Sequence, residues 1–438
     1  MTTTDEDLHR DVAPSRQMAS LLLAASATVP ALWLRGSGAH IADLLAAVLF
    51  GLAIVGSAFL LSWAAEAAQL DISAGLAIAV LAFIAVLPEY AVDLVFARKG
   101  GNAFERFGPA CRAAGSTGQS ACSLALANMT GSNRLLIGVG WSLVVFIAWW
   151  QWRRRGERTR EVKLERSHAV ELSYLAAATA YSLTLPLKRS ITLLDATVLI
   201  GLFIAYTVRI ARAPAEEPHL VGPARWLGGF SPARRRGAVI GMLLFAAAVI
   251  LLSAEPFANA LVATGAQFGV SEFLLVQWLA PLASEAPELL VAGLYAWRMN
   301  TNAGLGTLVS SKVNQWTLLV GTLPIAFALT SGSIHGLPIV AQQREELLLT
   351  AAQSVFAVAI LVNRSITNRE AMALFGLFWA QFLIGAVVPQ SLHGTERLIV
   401  AAAYMIGGVW ILVKDRAHLR SLLRDGFRTS YGQLVEGP

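Results

Sequence analysis

Four carboxylates lie inside apolar stretches of this chain, where an ionised group is costly unless a partner compensates it. Glu89 and Asp93 are four residues apart, and Glu285 and Glu288 are three apart, so each pair shares one helical face. A proline directly precedes both Glu89 and Glu288, and because proline has no N–H it frees a backbone carbonyl one turn earlier. Carboxylate and carbonyl oxygens are the ligands that hard cations prefer. These residues therefore predict a cation site inside a membrane.

A cluster of small polar residues follows each Pro-Glu pair, in the next apolar stretch. The first cluster spans 127–133 and the second spans 306–312. A base accompanies each cluster: Arg134 directly follows the first, and Lys312 ends the second. Four carboxylates and two bases give a formal charge of −2, which suits one divalent cation or two monovalent cations or protons. The neutral side chains that could add oxygen ligands are Asn128, Ser132, Ser284, Thr307, Ser311 and Gln315.

Structural roles compete with binding roles at several of these positions. Asp93 could form a salt bridge with Arg134, and Glu285 could form one with Lys312, as readily as either could bind a cation. The serines could simply let helices approach closely. Glu255, beside another proline, is interpreted as a structural residue in preference to a proton relay.

Composition requires these residues to be held by membrane-spanning helices. Hydrophobic residues make up 56% of the 438 residues and charged residues 14%, against about 25% in soluble domains. Apolar stretches of about 20 residues recur, which is the length that crosses a bilayer. The sequence predicts an all-α polytopic membrane protein with about twelve spans, near 18–35, 42–66, 72–97, 119–150, 169–187, 190–209, 237–264, 271–297, 303–332, 346–363, 370–389 and 396–413.

The basic residues orient these spans. With both termini in the cytoplasm, most of the 34 Lys and Arg residues fall on the cytoplasmic side, as the positive-inside rule requires. Basic loops of this kind do not indicate nucleic-acid binding. The loop at 98–118 is then external, and for the two cysteines, Cys111 and Cys122, free thiols are favoured over a disulfide across that loop. We expect a plasma (inner) membrane protein.

The two Pro-Glu spans and the clusters after them form an internal repeat. An odd number of predicted spans separates corresponding helices, so the second copy runs opposite to the first. Inverted repeats of this type characterise many secondary transporters. The predicted architecture is an inverted 5+5 repeat core with one extra helix at each end.

The two repeats resemble those of the cation/Ca²⁺ exchanger superfamily, which includes the Na⁺/Ca²⁺ exchangers. Its repeats look like Gly-Thr-Ser-Leu-Pro-Glu followed by Gly-Asn-x-x-Gly-Ser-Asn, and this chain has Leu87-Pro88-Glu89 with Gly131-Ser132-Asn133, then Ser284-Glu285-Ala286-Pro287-Glu288 with Ser310-Ser311-Lys312. The resemblance implies that Glu89 and Glu288 are the central metal carboxylates, with oxygens from Ser132, Ser311 and Ser284.

The departures from that pattern bear on ion choice. Leu136 stands where a ligand is expected, Gln315 is its neutral counterpart, and Glu285 and Lys312 replace a hydroxyl and an amide. Charged groups have thus been gained and neutral oxygens lost. Carboxylates beside fixed bases suit coupling to H⁺.

The predicted function is a secondary cation antiporter that moves Ca²⁺ or a similar cation against Na⁺ or H⁺ by alternating access. The alternative within this class is Na⁺/H⁺ exchange without a divalent ion, and a passive channel or a sensor is a further alternative. An enzyme is disfavoured because none of the seven histidines lies deep in a predicted span, which removes a Ser-His dyad or a histidine zinc site.

No cofactor is expected, and the partners are the lipid bilayer and the transported cations Ca²⁺, Na⁺ and H⁺; no feature specifies an oligomeric state. The predicted organisation is a cytoplasmic tail (1–17), an extra helix (18–35), a first repeat (42–209), a cytoplasmic linker (210–236), a second repeat (237–389), a second extra helix (396–413) and a cytoplasmic tail (414–438).

Overall fold

The computed structural model describes residues 14–71, 87–115, 119–157, 159, 161–213, 220, 222–269, 272–387 and 389–435. The expectations for residues 1–13 and for the first half of the span at 72–97 lie outside this set. The carbonyl that Pro88 would free, near Ile84, is therefore also outside the described residues.

The described chain is helical almost throughout. Its helices are α1 (Pro14–Ser26), α2 (Val29–Ser37), α3 (Asp43–Ala68), α4 (Leu87–Phe107), α5 (Ala121–Leu135), α6 (Ser142–Arg154), α7 (Ala169–Ser182), α8 (Leu193–Ile210), α9 (Pro223–Gly228), α10 (Pro232–Phe268), α11 (Glu272–Trp297), α12 (Thr301–Asn314), α13 (Val320–Ser331), α14 (Ala341–Ile360), α15 (Asn368–Val387), α16 (His393–Lys414), α17 (Arg416–Phe427) and α18 (Tyr431–Val435).

Eight helical stretches in the described residues are long and apolar enough to cross a bilayer. They are Ser15–Ser37, Asp43–Ala68, Ala121–Arg154, Leu193–Ile210, Pro232–Phe268, Thr301–Ser331, Ala341–Asn363 and His393–Lys414. Helices also lie at the other four predicted spans, as α4, α7, α11 and α15, although α7 has only 14 residues. The polytopic helical fold is confirmed, and the count of twelve spans stays a prediction.

The connector between the two halves is shorter than predicted. α9 lies within it, and α10 begins at Pro232, so Arg234, Arg235 and Arg236 belong to a helix. The 37 residues of α10 extend about 55 Å, which exceeds the thickness of the hydrocarbon core. In its first two turns Arg235 and Arg236 contact Asp71 at 2.6 and 2.9 Å.

Two short antiparallel strand pairs tie distant segments together. β1 (Glu161–Lys163) pairs with β4 (Ser365–Thr367), and β2 (Ser190–Ile191) pairs with β3 (Leu337–Pro338). Each pair joins a segment of the first half to a segment of the second half. The halves are therefore linked at two separate places outside their helices.

The buried core lies between the two halves, and the extra helices pack on its outside. α3 and α10 pack against each other along their length, and α16 packs along α14. Cys111 and Cys122 form a disulfide that joins the loop after α4 to the start of α5. The expectation of two free thiols was wrong, because the loop folds back and returns to the same end of the bundle.

Candidate functional site

The first carboxylate pair lies at the beginning of α4. Glu89 is in the first turn and Asp93 one turn later, and the two side chains are 5% and 1% exposed. Asn128 of α5 donates from Nδ2 to Asp93 Oδ1 at 2.6 Å. Glu89 Oε1 and Asp93 Oδ2 have no hydrogen-bond partner in the described part of the chain. Two carboxylate oxygens are thus buried and available to a ligand.

The second pair lies in the middle of α11, beside Pro287. Gln315 donates from Nε2 to Glu285 Oε1 at 2.9 Å, and Ser311 donates from Oγ to Glu288 Oε2 at 2.6 Å. Glu285 Oε2 has no partner among the described residues. The helices that contain the polar clusters therefore hold the carboxylates in position.

The two pairs meet at one site. Glu89 interacts electrostatically with Asp93 and Glu288, and Glu285 interacts with both Glu89 and Glu288. The Ser132 hydroxyl lies next to Glu89 and Glu285, and Oγ forms no well-aligned hydrogen bond with any described residue. Buried oxygens that lack a well-aligned partner among the described residues therefore lie around this one site, and oxygens of this type are what a hard cation prefers. In the described part of the chain, however, no three carboxylate, histidine or cysteine side chains are close enough together to hold a metal ion as they stand.

One base, Lys312, belongs to this site. It is fully buried and donates from Nζ to the backbone oxygen and to Oδ1 of Asn133, both at 2.6 Å. Glu285 and Glu89 are its electrostatic neighbours, but no described carboxylate oxygen lies within the 4.0 Å of an ion pair. The alternative of a Glu285–Lys312 salt bridge is therefore wrong, because the Lys312 ammonium donates to Asn133 and not to Glu285.

The other base, Arg134, is turned away from the four carboxylates. Its Nη2 contacts Glu346 at 2.9 Å, its Nη1 donates to Gln381 at 3.1 Å, and its guanidinium stacks over Trp278. The alternative of an Asp93–Arg134 salt bridge is wrong, because Asn128 and not Arg134 binds Asp93. The sequence prediction missed Glu346, since this residue lies at the edge of a predicted span and outside the repeated motif.

A glycine lets the two site helices touch. Gly131 of α5 lies against the backbone oxygen of Gln277 in α11, and a Cβ at Gly131 would be 1.7 Å from that oxygen. Pro281, four residues after Gln277, has no N–H, so this carbonyl lacks its usual helical donor. The freed carbonyl occupies the space that the missing side chain leaves.

A π-helical turn follows each polar cluster. These turns are Leu136–Trp141 after α5 and Gln315–Leu319 after α12. Such bulges rotate the residues that follow them and are frequent at functional sites. Gln315 reaches Glu285 from the start of the second turn, whereas Leu136 lies at the start of the first and is buried.

Two predicted residues have other contacts. The Ser284 hydroxyl donates to the backbone oxygens of Ala280 and Pro281, both at 3.2 Å, so its proton is used within its own helix. Glu255 pairs with Arg98 at 2.9 Å, and both side chains are largely exposed. This contact supports the structural interpretation of Glu255.

The buried carboxylates, the hydroxyl oxygens and the apolar helices define a membrane protein that handles inorganic cations. The family model described as "Sodium/calcium exchanger protein" matches residues 43–211 and 238–386, more than half of the chain. The chain therefore belongs to the sodium/calcium exchanger family, as the resemblance of its repeats predicted. It is a transporter and not an enzyme, and its family handles cations such as Ca²⁺ with H⁺ or Na⁺.

Solved structures agree with this assignment. The crystal structure of an H⁺/Ca²⁺ exchanger, CAX, is 40% identical, covers 96% of this chain and 99% of its own, and has a TM-score of 0.84. The structure of native YfkE, at 13% identity, covers 88% of this chain and 99% of its own with a TM-score of 0.59, and shows the shared fold. No curated protein sequence matches the chain.

Proposed function

We propose that this protein exchanges Ca²⁺ for H⁺ across a membrane by alternating access, with Glu89 and Glu288 as the central cation ligands. The observation that carries the proposal is a set of buried oxygens that have no well-aligned hydrogen-bond partner among the described residues: Glu89 Oε1, Asp93 Oδ2, Glu285 Oε2 and Ser132 Oγ. A buried polar oxygen without a partner costs free energy, and a cation that coordinates these oxygens removes that cost. Ser311 orients the Glu288 carboxylate and Gln315 orients that of Glu285. The Ser284 hydroxyl oxygen is the remaining member of the proposed ligand set.

The carboxylates of the site favour H⁺ as the driving ion, because each of them can take up a proton. Four carboxylates and the Lys312 ammonium give a formal charge of −3, since Arg134 is neutralised elsewhere by Glu346. One Ca²⁺ and one monovalent cation, H⁺ or Na⁺, balance this charge. The 40% identical relative is an H⁺/Ca²⁺ exchanger, which supports the same choice. Na⁺ in place of H⁺, and Na⁺/H⁺ exchange without Ca²⁺, are the competing outcomes of the test below.

The order of local features supports the proposed inverted repeat. Strand β2 leads into a capping box in which Thr192 and Asp195 exchange hydrogen bonds, and β4 leads into the equivalent exchange between Thr367 and Glu370. The β1–β4 and β2–β3 pairs exchange places if the halves are swapped, and the π turns follow corresponding clusters. Lys312 and its acceptor Asn133 also occupy equivalent places in their helices.

The orientation with both termini in the cytoplasm remains our proposal. It places the Cys111–Cys122 disulfide on the external side of a plasma membrane, which is the oxidising side. It also places the ion pairs of Asp71 with Arg235 and Arg236 inside the cell. The proposed domain boundaries, with two repeats at 42–209 and 237–389, follow from the same arrangement.

Flux measurements in proteoliposomes test the proposal. Gradients of H⁺, Na⁺ and K⁺ are imposed one at a time, and ⁴⁵Ca²⁺ uptake and internal pH are recorded. We expect Ca²⁺ uptake that requires an opposing H⁺ gradient and that is lost in Glu89→Gln and Glu288→Gln. The matched control is Glu255→Gln, which removes an exposed carboxylate outside the site and should leave uptake intact. Uptake that follows Na⁺ alone would replace H⁺ as the driving ion, and undiminished uptake in both site variants would refute the site.

A further inference from the structure

A second buried network of charged and polar side chains lies beside the cation site. It contains Arg134, Gln277, Glu346, Gln381, Glu396 and Arg397, none of them more than 9% exposed. These residues come from five helices: α5, α11, α14, α15 and α16. Among them, α16 belongs to the chain beyond the two segments that match the exchanger family, which end at residue 386.

Glu346 joins the two helices that hold the site. Its Oε2 forms an ion pair with Arg134 Nη2 of α5 at 2.9 Å and accepts a hydrogen bond from Gln277 Nε2 of α11 at 3.0 Å. Its Oε1 forms an ion pair with Arg397 Nε at 2.8 Å, and Arg397 Nη1 donates to Glu345 Oε2 at 2.7 Å. One carboxylate thus connects α5, α11 and α16.

The anchored residues are close to the ligands. Arg134 follows Asn133, which accepts both hydrogen bonds from Lys312, and lies two residues after Ser132. Gln277 is two turns before Glu285 on α11, about 12 Å along the helix axis. Because Arg134 and Ser132 lie on the same turn of α5, a shift of Arg134 moves Ser132 with it. On α11 the coupling is less direct, since Pro281 lies between Gln277 and Glu285.

Arg134 is held by the network and not by the site carboxylates. Its largest electrostatic partners are Glu346, Arg397, Tyr404 and Glu396, and its ion pair is with Glu346. Glu346 therefore neutralises a guanidinium that would otherwise repel a cation two residues from Ser132. Arg397 in turn keeps Glu346 in the position that contacts both helices.

We propose that Arg397 is a positioning residue for cation binding, acting through Glu346 on the helices that hold Ser132 and Glu285. The extra helix α16 is then a working part of the exchanger. The inference rests on the proposed function for the identity of the ligand, Ca²⁺. The claim that Arg397 and Glu346 fix the positions of α5 and α11 can be tested without any cation.

The test compares Arg397→Gln, Glu346→Gln and the double variant in full-length protein. Loss of a residue that orients metal ligands lowers metal affinity by about 10- to 100-fold, so we expect the half-saturating Ca²⁺ concentration to rise by that factor in each single variant. The double variant should be no worse than Glu346→Gln, because Arg397 acts only through that carboxylate. Arg397→Lys keeps the charge but cannot contact Glu345 and Glu346 together, and should be intermediate.

Arg344→Gln is the matched control, since Arg344 is exposed on the same turn of α14 as Glu346 and should leave affinity unchanged. Hydrogen exchange of residues 128–134 provides a readout that needs no cation, and it should become faster in Arg397→Gln. Unchanged exchange there, or additive loss of affinity in the double variant, would overturn the inference. Absence of Ca²⁺ binding by the wild-type protein, with the exchange result as expected, would instead reject the proposed substrate.

Discussion

Gly131→Ala tests how tightly the cation site depends on the contact between α5 and α11. The new Cβ would lie 1.7 Å from the Gln277 oxygen, and real Cβ atoms essentially never approach closer than 3.0 Å, so the helices must separate by 3.0 − 1.7 = 1.3 Å or more. Overpacking costs about 1–3 kcal/mol, and alanine regains about 1 kcal/mol of helix propensity, so net stability falls by only about 0–2 kcal/mol. Disturbing the groups that orient metal ligands lowers metal affinity by about 10- to 100-fold, so Ca²⁺ binding and transport should suffer more than folding.

The assay pairs thermal unfolding in detergent with Ca²⁺ uptake in proteoliposomes. Gly201→Ala is the matched control, because a Cβ at Gly201 on α8 meets nothing within 4 Å. That variant should transport normally and be more stable by up to about 1 kcal/mol. Wild-type uptake by Gly131→Ala at wild-type Ca²⁺ affinity would refute the reasoning, since it would mean that the helices separate without disturbing the site.

Two further predictions concern charge. Lys312→Met removes the Lys312 ammonium from among four buried carboxylates, so the site should take up one more positive charge per cycle. The reversal potential of Ca²⁺ flux should then depend differently on the pH gradient, and Lys312→Arg is the charge-preserving control. An unchanged dependence in Lys312→Met would contradict a role of this ammonium in the charge balance. The hydrogen bond from Arg235 lowers the pKa of Asp71 from 3.8 to about 2, so this ion pair stabilises the fold fully above pH 3.8 and is lost as the pH falls through about 2. The gap in unfolding temperature between the wild type and Asp71→Asn, corresponding to about 1 kcal/mol, should therefore close over that range, and a constant gap would show that Asp71 acts in another way.

The site carboxylates could be predicted from the sequence because the signal that marks each of them is local. A charge in an apolar stretch is costly wherever the stretch folds, so Glu89, Asp93, Glu285 and Glu288 stand out without any knowledge of packing. The proposed inverted order of the two halves follows from counting predicted spans. For the same reason, the meeting of Glu89 with Glu285 and Glu288 at one site was foreseeable.

The partners of the two buried bases were not predictable from the sequence. Arg134 and Lys312 occupy similar places in their clusters, but a π turn, a proline-freed carbonyl and an extra helix decide what each can reach. Local patterns carry no information about Glu346, which is 212 residues from Arg134, since 346 − 134 = 212. The disulfide was missed for a related reason. The predicted loop at 98–118 is helical as far as Phe107, and whether Cys111 meets Cys122 depends on how α4 and α5 pack.

Lys312 lies among the site carboxylates whereas Arg134 is paired with Glu346, and the charge requirement of a cation site explains this difference. A fixed positive charge among the ligands opposes every cation that enters, and one such charge, Lys312, offsets only part of four carboxylates. A second would lower the formal charge of the site from −3 to −2 and weaken its attraction for every cation that enters. Because Glu346 neutralises Arg134, the charge of the four carboxylates and Lys312 stays available to the transported cations. The network around Glu346 therefore bears on the charge of the proposed site as well as on its geometry.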